Sequence, residues 1–417
     1  MTYLFDKKIS YDHTPNLDAF GRLRVSNPFT LFESHHRYRD NDKSANHTQG
    51  TANVVYNANA AIMEMNVGNT IGDLAYRESK RVFVYQPGKS LLILRSFAFD
   101  TGKAGLRQRI GYFSVRNGFY FEQDGNTLNM VRRGASSGNV VETRVPQSAW
   151  NGDRLDGSLG VHNPSKLTLY PNRSQILFVD VEWLGVGDAR MGFVINGQFY
   201  VVHTFHHANE PSTANVDTRL TYMTTASLPI RSEIENTANT SGASHLHSIC
   251  STVISEGGYT ITGNPRTIGR DTSSPQTLTS GNVFYPIVSI RLNNTFPNAV
   301  VLPTDFALLG IDSGNYRFKL IKDANVVGGS WVALANSSIE YNITSTSALG
   351  TGGEDLDGGY FATTAQATSG IPNESASFKY QLERDPFSNV SSVFTLAVLS
   401  DGATDRVVGS MTFQEVT

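Results

Sequence analysis

A period of two dominates the hydrophobic pattern of this chain, and it is cleanest at Gln175–Trp183. Leu177, Val179, Val181 and Trp183 fall on one face, the alternation of a β-strand. The opposite face holds Ile176, Phe178, Asp180 and Glu182, apolar at one end and acidic at the other. A hairpin follows, RMGFVI-NG-QFYVVHTF, turning at Asn196-Gly197, a pair that tolerates positive φ at both central positions. Phe199, Val201, His203 and Phe205 share one face of its outgoing strand, and Tyr200, Val202, Thr204 and His206 the other. With both faces largely apolar, this hairpin is expected to lie centrally, covered on two sides.

The same pattern predicts strands at Arg81–Gln86, Ser90–Phe99, Gln108–Arg116, Phe119–Gln123 and Leu128–Arg132, with turns at Asn117-Gly118 and Asp124-Gly125-Asn126. Turn signals recur every 8–12 residues or about that, as in a sandwich of short antiparallel strands. Ala149–Gly157 reads as a polar excursion on the surface, and the only tempting helix is around Ile62–Met65. Between residues 257 and 281 the composition turns to Gly, Ser, Thr and Pro, the signature of a linker. Strands resume at Val283–Leu292, Ala299–Ala307, Tyr316–Ile321, Trp331–Ala335, Ile339–Ile343, Phe378–Glu383, Val393–Val398 and Arg406–Phe413, while Leu349–Tyr360 and Ala365–Ser375 read as loops. The expectation is an all-β chain of two or more antiparallel β-sandwich domains. An N-terminal arm spans 1–30, a large sandwich 31–256, a linker 257–281 and a second β domain 282–417. No fixed-period repeat is present.

Composition narrows the class. Charged residues make up 17% of 417, below the roughly 25% of ordinary soluble domains. The net charge of −3 argues against a global field that recruits nucleic acid or an anionic membrane. Cys250 is the only cysteine, which excludes an intrachain disulfide framework and a cysteine-based zinc site. The first twenty residues lack the apolar core of a secretory signal. No stretch approaches the roughly 18 apolar residues of a spanning helix, so no membrane insertion is expected.

Candidate chemistry is sparse. A metal reading takes His203, His206, His207, His245 and His247 together. Alternation sends His203 and His206 to opposite faces, and no cysteine or carboxylate pair completes a shell. The histidines are therefore expected to hydrogen-bond in loops or at an interface. Glu354, Asp355 and Asp357 miss the spacing of a calcium loop. A glycosidase needs two carboxylates across a cleft; Asp180 with Glu182 and Asp153 with Asp156 are the only candidate pairs, and they read as solvated edge charges. Nucleophile-elbow, P-loop, HExxH and dinucleotide motifs are absent. No cofactor and no catalytic residue is expected. The 24 Arg against 10 Lys favour bidentate pairing with carboxylates. Trp150, Tyr259 and Tyr360 are candidate exposed aromatics for stacking on a sugar or docking a partner.

The segment Asn16–Tyr38, NLDAFGRLRVSNPFTLFESHHRY, resembles the opening of a family of tailed-bacteriophage virion proteins, chiefly of marine and cyanobacterial phages. Similar segments continue at Trp150–Gly157, Gln175–Asn209, Tyr222–Glu235 and Ile249–Gly258, so the likeness covers the first 258 residues in patches. It implies a virion component, assembled in a host cytoplasm, of a tail, neck or head-attached fibre or spike. A host-surface polysaccharide binder and a capsid decoration protein are the alternatives, and a depolymerase the third. In this reading residues 1–30 attach the subunit to other virion proteins through Leu17, Phe20, Leu23, Phe29 and Phe32. The first sandwich is expected to be a jelly roll similar to the concanavalin-like lectins, and the assembly a homotrimer, by analogy with phage appendages.

Overall fold

The computed structural model describes residues 27–211, 219–260, 262–364, 367–368, 380–402 and 404–416. It is all-β: among these residues there is no α-helix, only one 3-10 turn at Gln147–Ala149. The first unit begins with β1 (Phe29–Ser34), β2 (Ser44–Gln49), β3 (Asn53–Asn57), β4 (Ile62–Val67) and β5 (Leu74–Ser79). It continues through β6 (Leu91–Ala98), β7 (Leu106–Phe113), β8 (Gly118–Asp124), β9 (Thr127–Gly134) and β10 (Val141–Pro146). It closes with β11 (Gln175–Val181), β12 (Ala189–Ile195), β13 (Gln198–Phe205), β14 (Ile230–Asn236) and β15 (Ser244–Ser255).

These strands make two antiparallel sheets. One has eight strands, ordered β13-β12-β11-β6-β15-β4-β3 with β1 also on β15; the other has seven, β10-β9-β8-β7-β14-β5-β2. Inward residues of both sheets share one core. Leu177, Val179 and Phe193 of the first meet Ile110, Phe121 and Ile234 of the second, all fully buried. That shared core is what makes the pair a sandwich.

The second unit contains β16 (Asn264–Arg270), β17 (Gln276–Leu278), β18 (Tyr285–Leu292), β19 (Val300–Gly310) and β20 (Gly314–Lys322). After them come β21 (Val332–Ala333), β22 (Ile339–Asn342), β23 (Glu354–Thr364), β24 (Ala367–Thr368), β25 (Val393–Ser400) and β26 (Asp405–Val416). A seven-stranded sheet, β21-β22-β18-β25-β20-β23-β24, faces a smaller one in which β16, β17 and β19 all pair with β26. Their common core holds Ile290, Phe318, Phe394, Met411 and Phe413.

Several sequence expectations need correction. Asn196 and Gly197 do turn the hairpin with positive φ, 53° and 78°, but β13 is an edge strand and leaves Phe199 53% exposed. An apolar outward residue on an edge strand looked like a buried one. Ile62–Met65 lies in β4, because its Met63 and Met65 bury on a pleat rather than a helix face. The 257–281 linker instead contributes β16 and β17, anchored by the buried Ile268 and Leu278. Their pairing partner β26 is far off in sequence, so local composition carried no sign of it. Leu349–Tyr360 overlaps β23, where Gly359 lets the strand pass within contact of the Phe318 ring. The Ala149–Gly157 excursion is pinned by Trp150 and Leu155, both buried in the first core.

Arg81–Gln86 joins neither sheet; its one ladder contact is an isolated bridge from Phe83 to Leu228. It runs extended between the units, and its alternation serves the first core and a separate cluster at the seam. Phe83 and Tyr85 enter the first core, while Val82 and Val84 pack with Val300 and Leu302 of the second unit. Residues 380–383 do the reverse. Leu382 enters the second core, and Gln381 and Glu383 reach back to Val82 and Arg81.

Candidate functional site

On its central strands the outward face of the seven-stranded sheet of the first unit is buried too, at Arg109, Glu122, Arg231 and Glu233. On β7 the inward residues are Leu106, Ile110 and Tyr112; the alternation therefore sends Arg107, Arg109 and Phe113 outward. On β14 Arg231, Glu233 and Glu235 point the same way, and on β8 Tyr120 and Glu122. Register places Arg109 directly between Glu122 and Glu233, and Arg231 directly opposite Glu78. Opposite charges on facing strands attract across the rung.

The side chains use that register. Arg109 donates to Glu122 at 2.8 Å and to Glu233 at 2.9 Å. Arg231 donates to Glu233 at 2.5 Å and to Glu78 at 2.6 Å. Arg107 reaches Glu235 at 2.7 Å, Arg144 reaches Glu122 at 2.9 Å, and Arg133 reaches Glu142 at 2.8 Å. Phe113, Tyr120 and Val131 form a small apolar cluster beneath these groups, with the Arg133 guanidinium 5.0 Å from the Tyr120 ring centroid. Burial pushes the Glu142 carboxyl up, but the Tyr120 hydroxyl and the Arg133 and Arg144 guanidiniums outweigh it and hold it at about 2. Glu233 is likewise brought below the usual carboxylate range: burial opposes, and Arg231 and Arg109 prevail. A general acid at neutral pH needs the opposite shift. These carboxylates hold guanidiniums and are poorly placed to transfer protons.

The network continues into the second unit. Arg384 donates to Glu78 at 2.9 Å and to Asn298 at 2.7 Å. Phe387 stacks on His47 with ring centroids 5.3 Å apart, and Arg231 lies 5.5 Å from the same ring. Arg81 pairs with Glu383 at 2.7 Å, and Lys322 bonds the same carboxylate. Clefts of about 410, 190 and 230 Å³ open along this seam. Arg384 lines the first two, and Arg81, Lys322 and Glu383 the third.

The residues singled out from sequence are scattered. Trp150 is not an exposed tip: it is 1% exposed and its indole donates to the Val145 carbonyl at 3.0 Å. Its polar neighbours in sequence hid a core residue. Tyr259 is half-buried at the seam beside Val300 and Leu302 and stacks on Phe29 at 5.8 Å. Tyr360 is 76% exposed, in the middle of β23 rather than on a loop, with the Arg317 guanidinium 5.6 Å from its ring. Of the arm anchors, Phe32 is buried in the chain's own first core and Phe29 opens β1, paired with Ser255. Both residues thus belong to β1 of the first sandwich. Leu17, Phe20 and Leu23 lie outside the described residues.

His203 and His207 are buried, while the exposed His206 pairs with Asp188 at 2.9 Å. Among the described residues no group of three or more His, Cys, Asp or Glu side chains is placed to hold a metal ion. Sequence reasoning missed the outer-face network, although its signal was present: Arg231, Glu233 and Glu235 alternate, as do Arg107 and Arg109.

No family model matches the chain, and no curated protein matches it. Among solved structures it is similar to an endo-β-1,4-glucuronan lyase from the fungus Trichoderma reesei, at 11% identity and TM-score 0.35, covering 54% of this chain and 95% of that one. It is similar to a Bacteroides ovatus mixed-linkage glucan GH16 protein in complex with its product, at 10% identity and TM-score 0.34, covering 54% and 99%. It is also similar to the CBM2 module of the evolved Dit of Lactobacillus casei BL23 phage J-1, at 6% identity and TM-score 0.33, covering 57% and 100%.

Proposed function

We propose that this chain is a non-enzymatic structural protein of a tailed-phage particle, a stiff two-sandwich unit that joins its neighbours through residues preceding β1. The virion setting rests on the DAFGRLRVS segment and the patches that accompany it. The observation that carries the structural role is the continuous Arg–Glu network, which buries Glu78, Glu122 and Glu233 and crosses to Arg384 of the second unit. Pulling the units apart would break the Arg384–Glu78 pair and leave the buried Arg384 without its carboxylate, so the two units resist moving apart. A depolymerase using Glu233 as its acid would need that carboxyl protonated, and Arg231 and Arg109 oppose it.

Mass spectrometry of purified particles, with chemical cross-linking, tests the reading. Peptides of this chain should persist through particle purification and cross-link to other virion proteins from residues 1–26. Absence from particles ends the proposal, and normal incorporation of a 1–26 deletion removes the attachment role of that segment. A polysaccharide-binding role is supported by one feature, the exposed Tyr360 beside Arg317. Binding to a host glycan that is lost in Tyr360→Ala would favour that second reading.

A further inference from the structure

We infer that the cleft of about 190 Å³ between the two sandwiches binds a small oxyanionic group, a carboxylate, sulfate or phosphate, which completes the Arg–Glu network. This inference stands apart from the virion reading and depends only on the charges at the seam.

The network is one connected chain of pairs. Arg107, Arg109, Arg133, Arg144, Arg231 and Arg384 serve Glu78, Glu122, Glu142, Glu233 and Glu235. Six guanidiniums thus share five carboxylates, leaving one positive charge in excess within a largely buried layer. Arg384 is one terminus of the chain, and its hydrogen bonding is incomplete. Nε donates to Asn298 and Nη2 to Glu78, but the buried Nη1 has no acceptor. The residue itself is only 6% exposed. A buried donor on a charged group left unmade is costly, and Glu78 is already shared with Arg231.

Arg384 also lines the cleft, together with a second arginine. That second arginine is Arg116, an exposed side chain that makes no hydrogen bond or ion pair among the described residues. Between the two arginines the lining is mostly hydroxyl and amide: Ser114, Asn117, Thr224 and Thr225. Asn117 is locked in place, accepting from the amides of Thr224 at 3.1 Å and Ala135 at 3.2 Å, so this wall is already set before any ligand arrives. Such a lining has donors to spare and one carboxylate, itself committed, which calls for a ligand rich in acceptor oxygens and carrying negative charge. The volume falls below the roughly 300 Å³ at which drug-sized pockets begin, so the occupant is a single small group. Because the walls come from both units, it would fasten one sandwich to the other.

The experiment is calorimetric titration of the full chain with sodium sulfate, sodium phosphate and sodium glucuronate, each against sodium chloride at equal ionic strength. At least one of the three should bind saturably and raise the melting temperature above the chloride control. Glucuronate alone would identify a sugar carboxylate as the source, and sulfate or phosphate alone an inorganic ion. Arg116→Gln should weaken binding by about tenfold, the loss of one charge-assisted contact, and Arg384→Gln should abolish it. Should Arg384→Gln fail to fold, the exposed Arg116 is the decisive position. No saturable binding by any of the three, or equal affinity in the wild type and Arg116→Gln, overturns the inference.

Discussion

The two faces of the seven-stranded sheet in the first sandwich keep their central residues from water by opposite chemistry. Inward, Phe121 is in contact with Phe97, Phe99 and Phe193, with ring centroids 5.2–6.0 Å away. Outward, one residue along the same strand, Glu122 is fully buried between Arg109 and Arg144. The inward layer gains from area removed from water, is indifferent to direction and tolerates repacking. The outward layer gains only when every charge meets its partner, because desolvation cancels most of the attraction. Burial alone therefore does not say what a layer is for. An apolar layer holds two sheets together anywhere along their length, whereas an ionic one fixes register and, through Arg384, fixes where the second unit sits.

The sharpest way to break this comparison is to remove one member from each layer. Phe121→Ala should cost about 3–5 kcal/mol through a cavity, and Arg109→Met a similar amount, about 3–5 kcal/mol, by taking one of two guanidiniums from each of the buried Glu122 and Glu233. Chemical denaturation of both variants checks this. An Arg109→Met cost below about 1 kcal/mol would reduce the network to surface decoration.

Acid titration separates the layers next. Burial, then Arg77, lowers His36 to about 4; burial, then His206, lowers His203 to about 4; burial, then Arg132, lowers His207 to about 3. Their unfolded value is near 6.5. Below it the unfolded chain takes up protons that the folded chain refuses, so stability falls as pH drops from about 6.5 towards 4. Glu142 acts lower: its contribution is complete above its unfolded value near 4.5 and is lost as pH falls through about 2. Melting temperature measured against pH should decline in these two windows, and His203→Gln should flatten the upper one. A flat profile between pH 7 and 4 would contradict the buried histidines.

The smallest effect sharpens the contrast from outside. Arg406 and Asp312 pair at 2.9 Å but are 49% and 32% exposed. Arg406→Gln should leave stability nearly unchanged, read from the same denaturation curves. A larger loss would mean that exposure does not weaken ion pairs in this molecule as it does elsewhere.

What was legible in the sequence follows the range of the interactions. Gln175–Val181 and the Asn196-Gly197 hairpin could be read because pleat and turn are settled by neighbouring residues. Trp150 misled, since its surroundings in sequence are polar while its surroundings in space include Val145 and the first core. Residues 264–278 misled for the same reason, as their strands exist only against β26. Of the ionic face, the alternation of Arg231, Glu233 and Glu235 was visible. Which arginine meets which glutamate was not, because the partners lie on strands β5, β7 and β8.

By itself the sequence determined the all-β class and the rhythm of its strands, since alternation and turn residues act over a few positions. It also determined the surplus of arginine over lysine that makes forked pairing available. Tertiary structure alone decided that these arginines bury themselves against glutamates, that Arg81–Gln86 divides its two faces between the first core and the seam cluster, and that Arg384 closes over the first sandwich. Those outcomes depend on contacts between residues up to about three hundred positions apart, and no local pattern records which distant strands become neighbours.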